Sequence, residues 1–183
     1  VDSLSGRLLV ATPLLGDPNF ERTVVLMLEH SEEGALGVVL NRPSTLEVGE
    51  ILPSWAHLVT APSAVFQGGP VSTDSALGLV RVAHDEEIIG VRPLRAGVAL
   101  VDLDTPSELV GDALVGMRVF AGYAGWGAGQ LDGEIAEGAW FTVDALPDDA
   151  FSADPTQLWR RVLRRQPHPL SLIASFPRDP AWN

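Results

Sequence analysis

The sequence predicts an α+β fold built on one large, mixed and largely antiparallel sheet, and three observations carry that prediction. Short apolar, β-branched runs recur along the chain, each bounded by glycine, proline, aspartate or asparagine, as buried strands are. Helical signatures are few and brief, and they do not alternate with the strands as a parallel α/β sheet requires. The 183 residues, 46% hydrophobic and 20% charged, fit a single domain spanning 1–183 that folds without a disulfide or metal scaffold.

Taken in order, GRLLVATP (Gly6 to Pro13) and TVVLMLEH (Thr23 to His30) read as buried strands, separated by a loop with Asp17-Pro18-Asn19 turn chemistry. A turn from Ser31 to Gly34 closes a hairpin into a strand from Ala35 to Asn41, which Pro43 stops. Ser44-Thr45-Leu46-Glu47 has capping-box spacing and predicts a short helix ending near Pro53. AVFQGGPV (Ala64 to Val71) is a strand entering a Gly-Gly-Pro turn, and ALGLVRVA, EIIGVRPL and GVALVDL (Gly97 to Leu103) add three strands. Thr105-Pro106-Ser107-Glu108 combines an N-cap, a proline at the first helical position and a capping glutamate, predicting a helix to about Leu114. MRVFAGYAG is a strand feeding GYAGWGAGQL (Gly122 to Leu131), read as a tight strand-to-helix turn. The helix that follows carries Leu131 and Ile135 on one face and stops at Gly138. AWFTVDA is a further strand. Asp154-Pro155-Thr156-Gln157 opens a last helix with Leu158, Trp159, Val162 and Leu163 as its apolar stripe. The total is about eight or nine strands and three or four helices.

Charge and composition exclude several function classes. The net charge is -12, from 24 acids and 12 bases, and with no lysine every base is arginine. Schiff-base chemistry, amine general bases and a P-loop lysine are therefore absent. An acidic surface repels phosphate backbones and anionic lipid, which argues against direct nucleic-acid binding and against a membrane surface. The lack of cysteine removes thiol nucleophiles, disulfides and Cys-based metal ligation. His30, His57, His84 and His168 have no metal-ligand spacing, so neither a metal nor a cofactor is expected. No apolar run approaches a membrane span, and the opening residues lack a signal-peptide pattern, so a cytoplasmic location is expected. The acids in EHSEE and HDEE, beside His30 and His84, read as solvated charge clusters at strand ends. WRRVLRR (Arg160, Arg161, Arg164, Arg165) reads as charge complementing a helix C-terminus. No serine lies in G-x-S-x-G, and no catalytic residue is assigned.

Three stretches are candidates for a ligand cleft. In GYAGWGAGQL, Gly122, Gly125, Gly127 and Gly129 would let backbone amides approach an anion at a helix start, with Tyr123 or Trp126 stacking on a flat ligand and Gln130 adding an amide. The competing reading is a tight turn whose Trp126 plugs the core. The stretch fails the dinucleotide fingerprint because Gln130 stands where a third glycine belongs. FQGGPV offers Gly68 and Gly69 in a second turn. LNRP sends Asn41 and Arg42 out of a buried strand, and arginine captures carboxylate or phosphate bidentately. If the three meet at one sheet end, they form a polar, glycine-lined cleft for a small anionic ligand or a protein partner.

The run GRLLVATPLLGDPNFERTVVLMLEHSEEGALGVVLNRP, then FQGGPV, GYAGWGAGQLDGEI, AWF and a late LW, in that order and spacing, resembles the AlgH/YqgE family of bacterial proteins over nearly the whole chain. The resemblance implies an α+β domain with a mixed, bifurcated sheet folded into a pseudo-barrel and flanked by short helices. The family has been labelled a transcriptional regulator and has no defined catalytic activity. Its signature matches Glu29, His30, Asn41, Arg42, Pro43, Gly68, Gly69, Pro70, Gly122, Tyr123, Gly125, Trp126, Gly129 and Gln130. Many relatives end in an Ala-Gly-His-Ala segment, whereas here no histidine follows His168, which argues against a histidine-dependent enzyme. The leading expectation is a non-enzymatic binding or regulatory module. The alternatives are an indirect transcriptional regulator or a hydrolase-type enzyme on a small phosphate or carboxylate substrate, with Glu29, His30 or Glu134 as acid or base.

Overall fold

A computed structural model describes residues 3–84, 86–95 and 97–177. Among these the strands are β1 (Leu8–Ala11), β2 (Val24–Ser31), β3 (Gly34–Val39), β4 (Pro43–Glu47), β5 (Ala64–Gln67), β6 (Val71–Val82), β7 (Val91–Pro93), β8 (Ala99–Val101), β9 (Leu114–Gly127) and β10 (Trp140–Val143). Three helices are α1 (Val48–Ile51), α2 (Gln130–Ala136) and α3 (Leu158–Arg164), with short 3-10 turns between elements. The sheet runs β10-β1-β2-β3-β9-β6-β8-β7, and β5 joins β9 from off this path, carrying β4 on its other side. All pairings are antiparallel except β5 on β9.

The long strand β9 is where the sheet forks. Along one edge it pairs with β6; along the other it pairs first with β5, at Phe66–Phe120 and Gln67–Ala121, and then with β3, from Ala124 to Gly127. Phe120 and Ala121 therefore have partners on both sides. The apolar runs are continuous because most central strands are buried on both faces. On β1 and β2, Leu8, Val10, Val24 and Leu26 point to a core that includes Leu158, Trp159, Val162 and Leu163 of α3. The alternate residues Leu9, Ala11, Val25 and Met27 meet Trp126, Trp140 and Leu131 of α2 on the other face. A third cluster, with Trp55, Val65, Val80, Met117 and Val119, covers the β6–β9 half.

Four local expectations are corrected. Ser44 to Glu47 is strand β4, not a capped helix, because tertiary partners claim the capping groups. The Ser44 hydroxyl donates to the Val65 carbonyl, and the Glu47 carboxylate accepts from Ser63 Oγ. The helix expected from Thr105 to Leu114 is only two 3-10 turns, Ser107–Leu109 and Gly111–Ala113. Ser107 and Val110 are its only buried residues short of the strand, too few to make an apolar face. EIIGVRPL contributes just Val91–Pro93, since Gly90 turns the chain at φ +77°. Finally, β9 continues to Gly127, so most of GYAGWGAGQL is strand and only its end turns into α2.

One side chain in this core was not singled out from the sequence. Arg118 faces inward from β9 and is 1% exposed. Its Nη1 donates to the carbonyls of Ala150 and Ser152 and its Nη2 to that of Ala61, while the guanidinium lies 4.4 Å from the Phe66 ring centroid. Burial lowers its pKa to about 10, so it is charged at neutral pH. One cation thus ties two separate loops to the central strand. Arg118→Met keeps length but strands three carbonyls without their donor, and we expect it to cost about 3 kcal/mol in urea unfolding. Wild-type stability would mean that those carbonyls find other donors.

Candidate functional site

Asn41 and Arg42 leave β3 where the loop before β2 folds back over the sheet. Asn41 Nδ2 donates to the Arg22 carbonyl and its Oδ1 accepts from the Val24 amide, so the side chain clamps the start of β2. Arg42 Nη1 donates to the Asn19 carbonyl at 2.5 Å, and its Nη2 donates to those of Pro18 and Glu21 at 3.0 Å. These bonds hold the guanidinium by one side. Its Nε–H makes no hydrogen bond among the described residues. Burial lowers the Arg42 pKa, opposed by the carboxylates of Glu21 and Asp17.

Arg42 stands between two cavities. The first, of about 440 Å³, is lined by Glu21, Arg22, Asn41, Arg42, Thr156, Gln157, Trp159 and Arg160. Arg22 lies 4.5 Å from the Trp159 ring centroid and donates to the Phe176 carbonyl, and Arg160 donates to that of Ala174. Three arginines against one glutamate thus surround a cavity in a protein of net charge -12. The second cavity, of about 330 Å³, is lined by Asn19, Val39, Arg42, Gln67, Gly69, Pro70, Thr73 and Ala121.

Of the three glycine-rich or Asn-Arg stretches, two therefore meet: Asn41 and Arg42 lie beside the Gly68-Gly69-Pro70 corner. Gly122 and Tyr123 of the third stretch pass directly beneath that corner as backbone. A Cβ on Gly68 would lie 2.3 Å from the Gly122 oxygen, and one on Gly69, at φ +154°, would lie 2.2 Å from the Tyr123 carbonyl carbon and oxygen. Tyr123 itself packs against the main core.

The remainder of the third stretch is elsewhere, doing structural work. Trp126 is 6% exposed and packs with Phe20 and Trp140. Its indole N–H and that of Trp140 both donate to Glu134 Oε1. Gln130 completes the network, donating to Glu134 Oε2 and accepting from the Gly127 amide, while Gly129 at φ +72° starts α2. Gly125 lies in β9 near the Tyr123 ring. Trp126, Gly127, Gly129 and Gln130 line neither Arg42 cavity.

His30 is also not the solvated group expected. Its ring is 3% exposed; Nδ1 accepts from the Leu4 amide and Nε2 lies 3.5 Å from Asp132 Oδ1. His84 is exposed, and the adjacent Asp85 lies outside the described residues. Glu29, His30 and Glu134 do not gather at either Arg42 cavity. Among the described residues, no cluster of metal-ligating side chains occurs, and no helix is long and apolar enough to cross a membrane. Arg22, Thr156, Gln157 and Arg160 were missed as site residues because loop, cap and counter-charge patterns accounted for them, and Thr156, Gln157 and Arg160 lie over 100 positions from Arg42 along the chain.

The fold and signature define a bacterial class of forked-sheet α+β proteins. The chain belongs to the AlgH-like family, whose model matches residues 8–171. It is 54% identical over 187 residues to a UPF0301 protein of Streptomyces coelicolor, covering all of this chain and 97% of that one. A UPF0301 protein of Thermobifida fusca is 53% identical over 190 residues, covering 99% and 96%. A crystal structure from Corynebacterium diphtheriae matches with TM-score 0.89 at 36% identity, covering 94% of this chain and 92% of that one. The solution structure of AlgH from Pseudomonas aeruginosa matches with TM-score 0.72 at 31% identity, covering 96% and 95%. The shared fold is a curled, largely antiparallel sheet forming a half-barrel with a few short helices.

The glycine corner yields a direct stability contrast. Gly69→Ala forces a Cβ into the β9 backbone and should cost at least about 3 kcal/mol in denaturant unfolding. Gly133→Ala, in α2 with open space around it, should be neutral or stabilising by up to about 1 kcal/mol. Equal effects from the two substitutions would contradict the close crossing.

Proposed function

We propose that this protein is a cytoplasmic, non-enzymatic binding or regulatory module that takes a small oxyanion, phosphate or carboxylate, in the cavity between Arg42 and Arg160. The observation that supports this reading most is the gathering of three arginines around one cavity while the protein as a whole is strongly acidic. Each guanidinium carries five N–H groups. Those of Arg42 and Arg160 are anchored through part of that set on chain carbonyls, which fixes their positions before any ligand arrives. Gln157 adds an amide to the wall, beside a Thr156 hydroxyl that donates to Asp154 Oδ1. Partial burial strengthens attraction between these cations and an entering anion.

Any effect on transcription is indirect on this reading. Two of the arginines of WRRVLRR serve the fold: Arg161 donates to Ser152 Oγ, and Arg165 grips buried Asp149 at 2.6 and 2.7 Å.

Isothermal titration with inorganic phosphate and, separately, with succinate tests the proposal. We expect saturable binding of at least one, weakening as salt is raised. Arg160→Gln and Arg42→Lys should each weaken it about tenfold or more, with circular dichroism confirming an unchanged fold. Heats that do not saturate with either anion, or affinity untouched in both folded variants, would reject the site.

A further inference from the structure

The second cavity narrows the ligand class, an inference that rests on the oxyanion reading above. Among the described residues Arg42 is the one charged side chain in its wall, and away from Arg42 the lining is neutral, which suits an uncharged polar group. Asn19, Gln67 and Thr73 line it, and the side chains of all three make no hydrogen bond among the described residues, so their amides and hydroxyl can both donate and accept. Pro70 and Val39 provide apolar surface between them.

Thr73 owes its position to an irregularity in β6. Val71 pairs with Tyr123 and Ala76 with Ala121, so the chain spends five steps on β6 against two on β9. The surplus residues bulge out of the ladder, with Ser72 at φ +48°. Bulges commonly re-aim a side chain toward a site.

The arginine chamber, for its part, favours phosphate over carboxylate. Three guanidinium groups and the Gln157 amide present more N–H groups than the two oxygens of a carboxylate can accept, the Thr156 hydroxyl beside them being already donated to Asp154 Oδ1, whereas a phosphoryl group has three terminal oxygens and a second charge. We infer that the two chambers together hold one organic phosphomonoester. Its phosphate sits among Arg22, Arg42 and Arg160, and a neutral, planar, hydrogen-bonding group such as a nucleobase sits against Asn19, Gln67 and Thr73. Arg42 bridges the two halves.

The test titrates the full chain with adenosine 5′-monophosphate, guanosine 5′-monophosphate, cytidine 5′-monophosphate and uridine 5′-monophosphate, with inorganic phosphate and with adenosine, by calorimetry at fixed salt. At least one nucleotide should bind about tenfold or more tightly than inorganic phosphate. The Gln67→Ala/Thr73→Val double variant should bring that nucleotide down to the affinity of phosphate while leaving phosphate binding unchanged. Phosphate binding with no nucleotide any tighter overturns the two-chamber inference and leaves the oxyanion site standing. The same holds if the double variant preserves the nucleotide's advantage. If neither phosphate nor any nucleotide binds, the two-chamber inference falls, and the oxyanion site falls with it when succinate does not bind either.

Discussion

The passage of the chain across β9 constrains nearly everything else in this structure. β5 lies along one edge of β9 and β6 along the other, yet only Gly68, Gly69 and Pro70 separate them in sequence. A chain moving from one edge of a strand to the other must cross its face, and within three residues it can do so only in contact with the backbone below. Gly68 is still bonded on the first edge, donating to the Ala121 carbonyl and accepting from the Val39 amide, and Val71 already pairs with Tyr123 on the second. Glycine is required because any Cβ at Gly69 would fall inside the Tyr123 carbonyl. On the other side of the contact, Gly122 at φ +74° would place a Cβ 2.5 Å from the Gly69 oxygen. Two glycine motifs more than fifty residues apart are thus the two surfaces of one crossing.

That crossing also explains where the cavities lie. Strands that diverge at a fork leave a gap which side chains do not fill, and here loop and turn residues border it instead. Arg42 emerges beside the gap, and its guanidinium gathers the carbonyls of Pro18, Asn19 and Glu21, giving the preceding loop a fixed shape. α3, whose Trp159 indole donates to the Ala11 carbonyl, closes the far side. The pocket is a consequence of the topology, and its charge is a consequence of which residues the topology brings there.

Local pattern in the sequence carried the strands well, and the buried α3 stripe equally well, since periodicity of two or of 3.6 survives wherever an element packs on a continuous core. It failed where a distant partner competed for the same groups. Ser44 and Glu47 have capping-box spacing, but Val65 and Ser63 are better partners for them, and no local rule contains that information. GYAGWGAGQL looked like a turn because glycines are scarce in strands; the close approach of another backbone is the other reason for them, and that approach is non-local. Half of the candidate site was visible as Asn41, Arg42 and Gly69. The other half, Arg22, Thr156, Gln157 and Arg160, comes from segments whose local roles already accounted for them. Trp126, the most ligand-like residue of the signature, is instead held by Glu134 in the core.

The exclusive use of arginine fits this architecture. A forked sheet with short helices leaves many carbonyls at strand ends and in 3-10 turns without regular partners, and a buried carbonyl must be satisfied. A planar guanidinium reaches several at once in fixed directions, whereas an ammonium is a point charge that is costlier to dehydrate. Arg118 satisfies three carbonyls from one buried position, Arg42 three more, and Arg165 combines a paired carboxylate with the Asp144 carbonyl. Lysine could make the charge but not these geometries. Glu21 and Asp17 offset part of the cost of burying the Arg42 cation, whereas Arg118 is held by its carbonyls and the Phe66 ring alone. Arg42 is where this use of arginine meets the cavities: the guanidinium that completes the hydrogen bonding of the preceding loop also stands with Arg22 and Arg160 in one cavity wall, so the positive charge proposed to meet an anion sits where the chain folds over the fork.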